Sequence, residues 1–130
     1  MKRQLIVTIK QPRDLKAFNN KGVIFLDLEK FKEAIDCFDK IIEIKDDSAD
    51  AWYKKGLALF LLDEKEKALE CFDKALALNP YKKFIWIPKG LTLFHLGRFE
   101  EASDAFKKGE TDLIKHLIGQ KNKPAKTKVL

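Results

Sequence analysis

The side chains best suited to metal ligation, thiol chemistry or proton transfer near neutral pH are Cys37, Cys71, His95 and His116. Structural zinc sites draw their ligands from pairs a few residues apart, and these four stand too far from one another for that. Neither histidine sits beside a serine, cysteine or aspartate in a recognisable nucleophile–base motif. The six glycines are scattered, so no phosphate-cradling loop forms. The chain therefore carries no catalytic residues, no metal site and no cofactor site that its sequence declares, and it does not read as an enzyme.

What the cysteines do show is a spacing. Cys37 and Cys71 are 34 residues apart, and other side chains keep the same interval. Gly22, Gly56 and Gly90 are in step, as are Phe18, Trp52 and Trp86, then Ala34, Ala68 and Ala102, then Phe38, Phe72 and Phe106. Four classes of landmark at one period, three times over, mark a repeat architecture. Equivalent points on neighbouring helices lie about 8–10 Å apart. A disulfide needs Cα atoms within about 7 Å. The two thiols are thus expected to be small, semi-buried side chains in a reducing compartment.

The elements that carry these landmarks are helical. Leu, Lys, Glu and Ala are common and only four prolines occur. A first repeat spans 15–48, with helices over about 15–28 and 31–44. Asp46-Asp47-Ser48 supplies turn and N-cap oxygen for the next helix. A second repeat spans 49–82, and its second helix over 64–78 has Asp63 as N-cap with Glu66 at capping-box spacing. Ala68, Leu69, Phe72, Ala75 and Leu76 form its apolar stripe. Asn79-Pro80 ends it. A third repeat spans 83–116. Pro88 should kink or delay its first helix, Gly97 opens the turn, and Gly109, standing where the second repeat has Ala75, should end the helix over 98–109 early. Gly22, Gly56 and Gly90 are expected to face Ala34, Ala68 and Ala102.

Flanking segments differ from this core. Residues 1–14 form an arm with β-branched Leu5–Ile9, suited to extended backbone. Leu113, Ile114, Leu117 and Ile118 suggest a capping helix over 111–120, with Thr111 as its N-cap. Residues 121–130 are polar, basic and expected to be disordered. The arm holds Lys2, Arg3, Lys10 and Arg13 against Asp14, and the tail holds Lys121, Lys123, Lys126 and Lys128. The net charge of +6 therefore resides at the two ends, and 15–120 has 18 basic against 19 acidic side chains. A nucleic-acid-binding body would need a basic face, so the sequence argues against that partner. No apolar run approaches the roughly 20 residues of a membrane span. Leu5–Ile9 is too short for a signal-peptide core. A cytoplasmic location is expected.

The second repeat, with Trp52, Gly56, Ala68, Phe72, Ala75 and Pro80, resembles the tetratricopeptide repeat, a 34-residue helix–turn–helix unit. Lys55 and Leu59 depart from its usual Leu and Tyr. The third repeat supplies Trp86, Gly90, Ala102 and Phe106, and the first supplies Phe18, Gly22, Phe25, Ala34 and Phe38. The resemblance covers about 100 residues. It implies an all-α, right-handed superhelical solenoid of three repeats plus the cap. It also implies a concave groove lined by the first helix of each repeat. Groove positions carried over from the family fall on Asn19, Val23 and Asp27, on Tyr53, Leu57, Phe60 and Leu61, and on Ile87, Leu91, Phe94 and His95.

In one subfamily a clamp of Lys, Asn and Arg grips the C-terminal carboxylate of chaperones. Here those positions hold Asn19, Val23, Lys54, Phe84 and Pro88. Only Lys54 could meet a carboxylate by charge, so that mode is not expected. What replaces the clamp is apolar, with Tyr53 and Phe94 as anchors. The expected function is a protein–protein interaction scaffold that takes a peptide or amphipathic helix in an apolar groove. Two alternatives are a self-associating assembly element and a weak polyanion binder acting through the basic tails.

Overall fold

The computed structural model describes residues 12–110. The expectations for Leu5–Ile9, for the 111–120 cap with Thr111, for His116 and for the 121–130 tail all lie outside the described residues. Within them the architecture is helical throughout, in three consecutive helix–turn–helix units. The helices are α1 (Pro12–Asp27), α2 (Phe31–Ile44), α3 (Ala49–Leu61), α4 (Lys65–Leu78) and α5 (Trp86–His95). A sixth, α6, runs over 99–110 to the end of the described residues.

Helix α1 begins three residues before the expected start. Its first residue is Pro12, whose fixed φ and missing N–H suit a first helical turn. Ser48 caps α3 as expected, its Oγ accepting from Ala51 N–H at 3.2 Å. Helix α4 stops at Leu78, and Asn79 Oδ1 then accepts from Tyr81 N–H. Pro88 delays the third repeat: Lys83–Ile85 form a 3₁₀ turn and α-helix starts only at Trp86. The Thr92 hydroxyl donates to Pro88 C=O at 2.8 Å, which satisfies a completely buried polar side chain.

Asp63 is not the N-cap of α4. Glu64 holds that position, without a side-chain cap bond, and Asp63 adopts φ +68°. Glu29 (φ +60°) and Gly97 (φ +81°) do the same at the 34-residue interval. In each turn the following N–H reaches back to the helix: Lys30 to Phe25 C=O, Glu64 to Leu59 C=O and Arg98 to Leu93 C=O, at 2.8–2.9 Å. This is the left-handed helix stop in which an orphan carbonyl is satisfied by the chain beyond it. Asp63 closes α3 rather than opening α4, and its carboxylate pairs with Lys65.

The nearest neighbour of each glycine landmark on the second helix is a phenylalanine ring. A Cβ at Gly22 would lie 2.6 Å from Phe38 Cε1, at Gly56 2.7 Å from Phe72 Cε1, and at Gly90 2.6 Å from Phe106 Cε1. Bare backbone on the first helix of each repeat is thus the seat of a phenylalanine from the second. Phe38 and Phe72 are completely buried. Ala34, Ala68 and Ala102 are buried as well, but in the clusters that run on into neighbouring helices. Gly109 does not end α6. It is buried inside the helix, and Ile87 packs on it: a Cβ there would be 2.6 Å from Ile87 Cδ1.

Candidate functional site

The first helices α1, α3 and α5 lie side by side, and three contacts tie their facing residues into one surface. Lys54 Nζ donates to Asn19 Oδ1 at 2.9 Å, joining α3 to α1. The Tyr53 ring meets Phe84 edge-on, with centroids 5.2 Å apart. Phe60 meets His95 at 5.5 Å. These residues come from successive repeats, so the surface crosses every seam of the described stack.

Its two ends differ in chemistry. Towards α1 it is polar: Lys54 also pairs with Asp50 at 2.9 Å, Asp27 is exposed, and Val23 is half-buried. Lys54, the one basic group at the clamp positions, is held by two partners of its own. Towards α5 the surface is apolar and open. Leu61 is 56% exposed, Leu91 42%, Phe84 51% and Phe94 52%. His95 is exposed beside Phe94, whose ring also meets Phe99 at 5.2 Å.

Several expected lining residues also pack on the core. Tyr53, Leu57 and Phe60 are half-buried and pack on the cluster around Phe72 and Leu76. Burial, and secondarily Asp50, pushes the Tyr53 hydroxyl above its ordinary pKa, so it stays protonated and can donate. Ile87 turns to Gly109 and contributes little to the open face. Phe84, named above at a clamp position, is exposed beside Tyr53, and Phe99, which sequence reasoning did not name, is exposed against Phe94. The signal for Phe84 was its 34-residue offset from Asp50, which stands beside Lys54 on the same face.

Among the described residues no cluster of His, Cys, Asp or Glu could hold a metal, and no helix is long and apolar enough to cross a membrane. Cys37 and Cys71 are free and buried. Desolvation raises both thiols above their ordinary range, Cys71 to about 11, so they are poor nucleophiles.

Comparison with known proteins agrees with this geometry. The family model for the tetratricopeptide repeat matches residues 15–48 and 49–82, more than half of the chain. The chain belongs to the tetratricopeptide repeat family. The two matched segments coincide with the first two repeats read from the sequence, and α5 with α6 forms the third. A crystal structure of MamA is similar with a TM-score of 0.73 and 26% identity, over 84% of this chain and 64% of that one. The chain thus spans less than two thirds of the MamA chain. The first repeat domain of Spaghetti (RPAP3), bound to the HSP90 peptide SRMEEVD, has a TM-score of 0.73 at 23% identity, over 76% of this chain and 79% of that one. The repeat domain of Sgt2 from Aspergillus fumigatus has a TM-score of 0.72 at 21% identity, over 76% and 65%. A search of the curated proteins finds no match.

Proposed function

We propose that the protein binds a segment of a partner protein on the face of α1, α3 and α5, with the partner's apolar side chains against Leu61, Leu91, Phe84 and Phe94. The observation that carries this reading is the exposure of those four large apolar residues beside a seam of ring contacts. Exposed apolar groups gathered on one face are typical of interaction surfaces. The polar end, with Asn19, Lys54, Asp50 and Asp27, would set direction and register for the ligand, since charge placed at an interface governs specificity more than affinity.

A C-terminal carboxylate is a poor fit. Lys54 is occupied by Asn19 and Asp50, and Phe84 and Pro88 offer no charge. The Spaghetti domain is bound to the HSP90 peptide SRMEEVD; this chain is expected not to bind that peptide. The direct test places a photo-crosslinking phenylalanine analogue at Leu91 and, as a control, at exposed Lys40 on α2. The reading expects a partner protein captured from position 91 and not from 40, and loss of capture when Leu61→Asp is added. Capture that ignores Leu61→Asp, or is equal from both positions, would contradict it.

A further inference from the structure

The concave face is not the one surface that the repeat leaves incomplete. At the seam between the first two repeats, Trp52, Lys55, Leu59, Lys67, Glu70 and Cys71 line a pocket that Ile35 and Asp39 of α2 close from the preceding repeat. Asp39 Oδ1 pairs with Lys55 Nζ at 2.7 Å. The next seam repeats the arrangement, with Leu69 packed on Leu93 and Trp86, and Asp73 Oδ1 on Lys89 Nζ at 2.7 Å.

One repeat earlier a matching pocket exists, and among the described residues nothing from a preceding helix lines it. Phe18, Lys21, Phe25, Glu33, Asp36 and Cys37, each 34 residues before a lining residue of the seam pocket, line it together with Lys40. Among the described residues none stands in the place of Ile35 and Asp39. Lys21 lies over the Phe25 ring and, among the described residues, pairs with no carboxylate. Beside it, Ile24 is 56% exposed, whereas its counterparts Ala58 and Thr92 are completely buried. Ala17 is exposed where Ala51 and Ile85 are buried.

We propose that this outer face of α1 docks an amphipathic helix of a partner protein bearing an apolar residue and, four positions on, an acidic one. Such a helix would supply what Ile35–Asp39 and Leu69–Asp73 supply at the two seams. Charge decides against the other occupants. In a head-to-tail stack of two copies, α6 would face α1, and it carries Ser103 and Lys107 where α2 has Ile35 and Asp39. It therefore offers Lys21 neither the apolar residue nor the carboxylate that the seams supply. Residues 1–11 hold Lys2, Arg3 and Lys10 and no acid, so they have no carboxylate for Lys21. This surface is separate from the concave face, and the two readings stand or fall independently.

The probe is a fluorescent peptide of the sequence 31–44, with Cys37 replaced by serine and a Lys32–Asp36 lactam to hold the helix. It is titrated into the full chain. Saturable binding is expected. Reversal of the peptide's acid, Asp39→Lys, should weaken it about tenfold or more, and Lys21→Glu in the protein should restore binding of the reversed peptide. Ile24→Asp, at a position open enough not to disturb folding, should abolish binding of the original peptide. Bound peptide should slow alkylation of Cys37 and leave Cys71 unchanged. Failure to bind, or binding indifferent to Ile24→Asp and Lys21→Glu, would overturn the proposal. So would binding that emerges only when residues 1–11 are deleted, which would make the arm the occupant. Mass that grows with concentration and reverts with Ile24→Asp would assign the face to a second copy and overturn it equally.

Discussion

Trp52, Lys55, Leu59 and Cys71 lie under Ile35 and Asp39, while Phe18, Lys21, Phe25 and Cys37, the same positions one repeat earlier, have no preceding helix over them among the described residues. The two regions share their residue pattern almost entirely, yet Ala58 is completely buried at the seam where its counterpart Ile24 is 56% exposed. Burial in a solenoid is therefore not a property of a repeat but of its neighbour. A side chain such as Ile24 is exposed not because its type suits water but because the position it fills is completed only from outside the repeat.

The sharpest way to break this comparison is to place one charge at both positions. Ala58→Asp buries an unpaired carboxylate in the seam and should destabilise the chain by about 3–5 kcal/mol. Ile24→Asp, the same position in the first repeat, should change stability by about 0.5 kcal/mol or less. Urea unfolding of both variants decides it, and equal losses would mean the outer face is covered after all. Next in size are the glycines. Gly22→Ala and Gly56→Ala both drive a methyl into a phenylalanine ring, at a cost of about 1–3 kcal/mol. Here the two repeats should behave alike, because Phe38 and Phe72 come from within each repeat. A large difference between them would show that internal packing, too, depends on the neighbour.

Smaller effects sharpen the same contrast. Glu29→Gly should stabilise by about 1 kcal/mol, since glutamate tolerates a left-handed backbone poorly. Asp63→Gly should gain less, because aspartate is accommodated there more readily. Thermal melts would rank the two. Least of all is the ion pair. Lys55→Ala should cost under about 1 kcal/mol, as expected for a partly exposed bridge. Lys21→Ala should cost nothing measurable, and a double-mutant cycle with Asp39→Ala should show coupling to Lys55 alone.

Much of this fold is legible in the sequence because a 34-residue period fixes helix, turn and neighbour at once. Phase is harder to read. Periodicity says that Gly56, Ala68 and Phe72 lie on buried faces, but which of them touch depends on how α3 and α4 are rotated about their axes. That the ring is the glycine's nearest neighbour is therefore read from the structure. Asp63 shows competing local signals. The Asp-x-x-Glu spacing suggested an N-cap, while its alignment with Gly97 marked a left-handed stop, and the backbone follows the second. Gly109 and Ile87 are departures that compensate each other: the helix loses a side chain where the facing helix brings a larger one. On the concave face, the bond from Lys54 to Asn19 crosses a seam and could not be read from either repeat alone. The apolar character expected of the whole groove is accordingly confined to the part nearer α5.

The most direct test of the comparison uses the two cysteines as internal reporters. Native full-length protein is treated with iodoacetamide over a series of pH values, and labelling of each cysteine is followed by mass spectrometry of its peptide. Cys71 lies beneath Ile35 and Asp39, and burial holds its thiol up at about 11. A raised pKa leaves less thiolate at any given pH below it, so reaction at Cys71 should be negligible near pH 8 and climb as pH approaches that value. Cys37 is also raised by burial but, among the described residues, has no helix of a preceding repeat over it, and it should react first and faster throughout. Equal rates, or faster labelling of Cys71, would contradict the claim that the first repeat presents an open copy of the seam.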